Sequence, residues 1–246
     1  VLGSASVGKE MRTAHGKTEE QAMKELQPIE IETHPIGNPW MNYAIYLCNV
    51  IIPGILGVII MITTVFSFGS EVKNRRSKKL IEDVGEDIFS VLIGKLLPHT
   101  LIYFLMITFI EAALYGFMGF PCKNGLASML VSCYLYVIAC QCLTLSLYAL
   151  IPIMRISISL AYFLAVLSFS ISGFTFPVGE MHPIIQTWSN IFPLRHFFLL
   201  YVDNALNGNT FCHLWGSYVA LLSFMFLPLI TAGRLRRIYK YDTYAV

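Results

Sequence analysis

Residues 69–95 read GSEVKNRRSKKLIEDVGEDIFSVLIGK, and this stretch decides how the chain is laid out. It holds eleven charged side chains, from Glu71 to Lys95, in a chain with only 17 basic and 15 acidic residues. Apolar runs long enough to cross a bilayer flank it on both sides. Water must reach the stretch while its neighbours sit in lipid, so it is read as a polar loop held between two membrane spans.

The bulk numbers agree. The 246 residues are 56% hydrophobic and 13% charged, with mean hydropathy +0.63. Soluble domains carry about 25% charged residues. A polytopic membrane protein, all-α, follows. The net charge of +2 decides little, because the placement of charge outweighs its sum in a membrane protein.

Working outward, Ala44–Phe68 is the first span. Its length of about 37 Å, at about 1.5 Å per residue, crosses a hydrocarbon core of about 30 Å with tilt. Trp40, Tyr43 and Tyr46 make an aromatic collar, and Pro53-Gly54 and Gly57 mark a kink or close helix packing. Leu96–Phe117 is the second span, Gly125–Pro152 contains the third, and Ile158–Phe174 is the fourth. His213–Ala232 is the fifth, with Trp215 and Tyr218 at one end and Tyr239 and Tyr241 at the other. Ser159, Ser168, Ser170 and Ser172 in the fourth span are read as helix-packing residues.

Pro183–Leu206 is apolar enough to span but carries Pro193, Arg195, His196 and Asp203. If it does not cross, Lys73, Arg75, Arg76, Lys78, Lys79, Lys95, Arg155, Arg234, Arg236, Arg237 and Lys240 share one side. Only Lys123 and Arg195 then lie near the other boundary. The positive-inside rule favours that arrangement and puts residues 69–95 in the cytoplasm. Residues 174–212 are therefore predicted to form an external re-entrant hairpin broken at Pro193. Broken helices of this kind line transport paths. Arg195 and Asp203, eight residues apart, are a candidate ion pair.

Residues 1–39 are polar, with a short helix at Thr18–Leu26 and a strand-like Ile29–Glu32. They are too few to bury a core and are read as the remnant of a larger external domain. Gly3–Glu10 matches a phosphate loop only superficially. Glu10 stands where Ser or Thr must hold magnesium, and no strand precedes Gly3. The six cysteines form no CxxC pair and are read mainly as small apolar residues. Cys122 and Cys212 both fall on the external side, which leaves a disulfide between them open. No His, Cys, Asp or Glu spacing indicates a catalytic or metal site.

Within the loop, Leu80, Ile81, Val84 and Ile88 fall on one face of a helix. Such a helix either docks in the groove of a partner or lies on lipid headgroups. Glu111 is the one carboxylate deep in a span, and must be protonated, paired or turned to a cavity. It leaves open an ion-coupled carrier that uses Glu111, beside a transporter driven by a partner. A membrane-embedded enzyme is the least supported alternative.

Three stretches resemble the permease subunits of ABC-2 type exporters, in the branch with a large extracellular domain after the first span. These are Ser70–Thr100, with Glu71, Gly94-Lys95 and Leu97-Pro98; Ser172–Phe197, SGFTFPVGEMHPIIQTWSNIFPLRHF; and Tyr201–Gly208, YVDNALNG. The resemblance covers residue 36 to the end. Lys78-Lys79 and Gly85-Glu86 stand where many members have Gly-Thr and Thr-Pro. The resemblance implies a sixth, preceding span and most of an external domain before Val1. It implies a transmembrane domain over residues 40–246 in a bacterial inner membrane. It also implies a separate ATPase that binds ATP and magnesium, a second permease copy and, in many cases, a periplasmic adaptor. No cofactor and no nucleic acid are expected on this chain. Glu71, Leu80, Ile81, Val84, Ile88, Gly94 and Lys95 are then the candidates for coupling to the ATPase. Glu111, Gly173, Pro177, Pro193 and Arg195 are candidates for the transport path.

Overall fold

A computed structural model describes residues 42–241, except the side chains of Phe211 and Cys212. The N-terminal segment, its expected helix and strand, and Trp40 lie outside the described residues. Nine α-helices are described: α1 (Tyr43–Lys73), α2 (Ser77–Asp83), α3 (Ile88–Glu111), α4 (Leu126–Leu150), α5 (Met154–Ile171), α6 (Pro183–Ser189), α7 (Pro193–Tyr201), α8 (Phe211–Ser223) and α9 (Phe226–Tyr241). No strand occurs among the described residues. Five segments are long and apolar enough to cross a membrane: α1, α3 with its π-helical extension Ala112–Phe117, α4, α5, and α8–α9 together. The chain is an all-α, multi-pass membrane protein.

α4 is the central element and packs against α1, α3, α7, α8 and α9. Polar side chains within the spans bond one another across helices, which lets them sit away from water. Thr100 donates to Gln141 Oε1 at 2.8 Å, Thr108 and Tyr134 meet at 2.7 Å, and Thr63 meets Tyr103. The glycines of α1 permit close approach. A Cβ at Gly54 would lie 2.8 Å from the Phe169 ring, and one at Gly57 would strike the Tyr136 hydroxyl. Serines of α5 close onto their own helix: Ser159 on Arg155, Ser168 on Ala165, Ser172 on Ser168.

Several boundaries differ from the sequence reading. α1 continues to Lys73 and α3 begins at Ile88, so the irregular loop shrinks and Gly94 and Lys95 lie inside a helix. The fifth span is broken at Phe224–Met225. Pro228 has no N–H to offer the Phe224 carbonyl, which takes the Leu227 N–H at 3.1 Å instead. The basic Gly233–Lys240 segment is the last part of α9, not a separate tail. Trp215 and Tyr241 are exposed at the ends of this span, whereas Tyr218 and Tyr239 turn into the core.

The hairpin forms as two short helices, α6 and α7, with Pro193 at the first position of α7, where a missing N–H costs nothing. Neither helix is long enough to cross. Backbone bonds from Lys123 to Ala205 (3.2 Å) and Asn124 to Asn204 (3.1 Å) hold the α3–α4 turn beside the end of the hairpin. At the opposite end of the bundle, Glu86 bonds Lys240, and Arg234 reaches the Leu150 carbonyl at 2.9 Å. Both basic segments therefore share one end. Reporter fusions after residues 85, 123 and 208 test this layout. The expected result is one orientation at 85 and the opposite one at both 123 and 208. A reporter at 208 that behaves like the one at 85 would contradict it.

Candidate functional site: the loop at the basic end

The loop between α1 and α3 is built by two helix endings. α1 closes with Arg75 in the left-handed region (φ 56°), as Arg76 N–H bonds the Glu71 carbonyl at 2.9 Å and Arg75 N–H the Val72 carbonyl at 3.1 Å. α2 closes the same way. Gly85 (φ 70°) donates to the Glu82 carbonyl at 3.1 Å and Glu86 to the Ile81 carbonyl at 2.8 Å. This paired ending favours glycine at its left-handed position. Glu86 is itself left-handed (φ 62°), which turns the chain sharply toward α3. Asp87 then caps α3, accepting from Phe89 N (3.2 Å), Ser90 N (3.1 Å) and Ser90 Oγ (2.6 Å). These bonds hold its carboxyl below the usual carboxylate range, the Ser90 hydroxyl most of all.

The expected single apolar face is therefore corrected. Gly85 ends α2 before Ile88, which opens the next helix. Ile81 is 1% exposed and Ile88 5%, so both belong to this chain's own core. Leu80 is half-buried against that core, and Val84, at 40% exposure, points out. The outward apolar surface of the loop is Val84 with the edge of Leu80, among Lys78, Lys79, Glu82 and Asp83.

Two charge contacts fasten this loop. Lys95 Nζ lies 3.3 Å from Glu71 Oε1, donates to the Ser67 carbonyl at 2.7 Å, and sits 5.1 Å from the centre of the Phe68 ring. Sequence reasoning picked out Glu71 and Lys95 separately, and the fold brings them together across α1 and α3. The second contact was not foreseen. Glu86 receives Lys240 Nζ at 2.8 and 2.9 Å on its two oxygens, and Arg236 Nη2 at 3.2 Å. Hydrogen bonding from the Lys240 ammonium, then its charge, then Arg236, hold the Glu86 carboxyl below its ordinary value. Gly94 is exposed on α3 with open space around it, and Pro98 has no N–H for its carbonyl.

The path candidates lie elsewhere. Glu111 is fully buried, with Cys133 Sγ donating to Oε1 at 3.3 Å and Oε2 without a hydrogen-bond partner among the described residues. His99 bonds the Lys95 carbonyl and does not meet it. At the hairpin, Gly173 adopts φ 101°, and a Cβ there would lie 2.9 Å from Val178 and 3.4 Å from Arg195 Nη1. Pro177 leads into a short turn, Val178–Glu180. Arg195 does not pair with Asp203. It reaches Asn190 Oδ1 at 3.3 Å and the Ser172 carbonyl at 3.5 Å, while Asp203 takes the amides of Asn207 and Asn209. Cys122 has no disulfide partner among the described residues, and the side chain of Cys212, its expected partner, lies outside them.

Sequence reasoning also missed Asn204, in the Tyr201–Gly208 stretch. It is fully buried and joins three elements: Ser128 donates to it at 2.7 Å, and its amide reaches Ser132 at 3.1 Å and Tyr218 at 3.2 Å. Flanked by Asp203, Asn207 and Gly208, it looked like one more loop polar residue, and no local pattern marked it for burial.

Five segments long and apolar enough to cross a membrane, a hairpin of two short helices, and a charged loop pinned at one end define a multi-pass membrane protein. The model of the ABC-2 family transporter proteins matches residues 3–234. The chain belongs to that family, and is the transport component in the membrane rather than an enzyme. No curated protein matches it.

Two measurements probe the fastenings. Glu71→Gln and Lys95→Met each leave one partly buried charge without its partner, which costs about 1–3 kcal/mol. Each lowers the thermal unfolding midpoint in detergent, and the double variant loses less than the two losses added. Strict additivity would show that the pair is not coupled. For Glu86, a depressed carboxyl pKa means its contact is fully present above the ordinary value of 4.5 and lost as pH falls below it. Hydrogen exchange at residues 84–88 is expected to be constant from pH 7 to 5, after correction for intrinsic rates, and to quicken under stronger acid in wild type but not in Glu86→Gln.

Proposed function

We propose that the chain is the permease subunit of an ATP-binding cassette exporter in a bacterial inner membrane, with residues 69–95 in the cytoplasm. Support comes from the family and from the concentration of Lys and Arg at one end of the bundle. A separate ATPase subunit binds ATP and magnesium and docks on the loop. A second permease copy completes the path, with lipid around it and a periplasmic adaptor beyond. The cargo is drug-like or lipid-like, and nucleic acid is no partner.

The observation that carries this reading is how α2 is held. Its outer edge presents Val84 and Leu80, while its inner edge is packed into the core through Ile81. Glu86 ties its end to α9, and the Glu71–Lys95 pair locks the helices on either side. A push on α2 is therefore delivered as a rigid-body displacement to α1, α3 and α9 together. As the ATPases close, the path exchanges inward for outward access and the broken hairpin at Pro193 opens as the outer gate.

The double variant Leu80→Asp/Val84→Asp tests this. It is expected to lose at least about tenfold in export and in permease-stimulated ATPase activity, a difference of about 1.4 kcal/mol in coupling. Expression and elution in size exclusion stay as in wild type. Normal export by that variant would sink the coupling role of the loop.

A further inference from the structure

The hairpin carries a polar depression around Arg195 whose ligand the transport reading does not name. It measures about 340 Å³, is shallow and broadly open, and is lined by Val178, Gly179, Gln186, Thr187, Asn190 and Arg195. Arg195 is half-buried and bonds only neutral oxygens, those of Asn190 and Ser172. Neither carboxylate of the segment, Glu180 or Asp203, makes an ion pair with it. Among the described residues its charge has no counterion. A guanidinium presents five N–H donors in a fork, and planar oxyanions match that geometry two at a time.

The helix beside the cavity is two-sided. Gln186, Thr187 and Asn190 lie on its polar face toward Arg195. Ile184, Ile185, Trp188 and Ile191 are 63, 41, 57 and 53% exposed on the other side. A charged pocket next to an uncovered apolar strip fits a molecule with both characters. We propose that this site binds an anionic amphiphile. Its carboxylate or phosphate head is held by Arg195, with Asn190 and Thr187 as neutral partners, and its tail lies along Ile184, Ile185 and Trp188. Gly173 suits this position because of its φ of 101° and because a Cβ would lie 2.9 Å from Val178, while it would only touch the guanidinium at 3.4 Å. Placing the site at the outer mouth rests on the topology proposed above, but the binding itself needs no ATPase.

The test uses the purified chain in neutral maltoside detergent with Trp188 as its sole tryptophan, after Trp40→Phe and Trp215→Phe. The probe is doxyl-stearate, whose nitroxide quenches nearby tryptophan, set against its uncharged methyl ester. The acid is expected to quench at about tenfold lower concentration than the ester. Arg195→Gln and Asn190→Asp should each abolish that difference, the second by supplying an internal carboxylate, while Arg195→Lys keeps part of it. Equal affinity for acid and ester in wild type, or wild-type preference in Arg195→Gln, would overturn the proposal. Two further arms separate the sources of such a ligand. With the partner ATPase present, release of the probe on adding ATP and magnesium marks a transported cargo. Displacement by phosphatidylglycerol without release by ATP marks a resident lipid. A failed coupling role at Val84 would leave all these binding results unchanged.

Discussion

A lysine ammonium on a lipid-facing helix must reach water or find partners, and Lys95 finds three: the Glu71 carboxylate, the Ser67 carbonyl and the Phe68 ring. With its side chain 15% exposed, it is too enclosed to count as an ordinary surface charge. Breaking this arrangement leaves a charge stranded at the membrane boundary. The first two spans are thereby fixed against each other just below the loop that joins them. Everything proposed for the loop depends on that anchorage, since a tether between freely sliding helices transmits nothing.

The second anchorage comes from far along the chain. Glu86 sits in a left-handed turn and is met by two cations from the last helix. Exposed ion pairs contribute little singly. Here the contact matters for position rather than for stability. It joins the end of α2 to the span that is broken, among the described residues, at Phe224–Met225, below Pro228. A rigid loop bound to a jointed span is a workable arrangement for moving one part of a bundle against the rest.

The spans were legible because a run of apolar residues long enough for the bilayer has few other uses. The hairpin was legible for a different reason: Pro193 and the one-sided distribution of Lys and Arg both argue against a crossing by Pro183–Leu206. Helix ends were not legible, because α1 and α3 continue past the apolar region into water, where composition stops marking them. The stripe from Leu80 to Ile88 failed at Gly85, whose letter already signalled a helix ending. The Arg195–Asp203 pair failed on distance, since eight residues of helix separate two side chains by about 12 Å. Contacts such as Glu86 with Lys240 join residues 154 positions apart, and no local pattern encodes them.

The central claim is that the outward edge of this loop meets an ATPase. A photo-reactive amino acid placed at Val84 in native membranes tests it directly, with Phe109, 77% exposed on a span, as the lipid-facing control. The account predicts that position 84 cross-links to an ATP-binding cassette ATPase while position 109 cross-links to lipid. Cross-links from position 84 to lipid alone would contradict it.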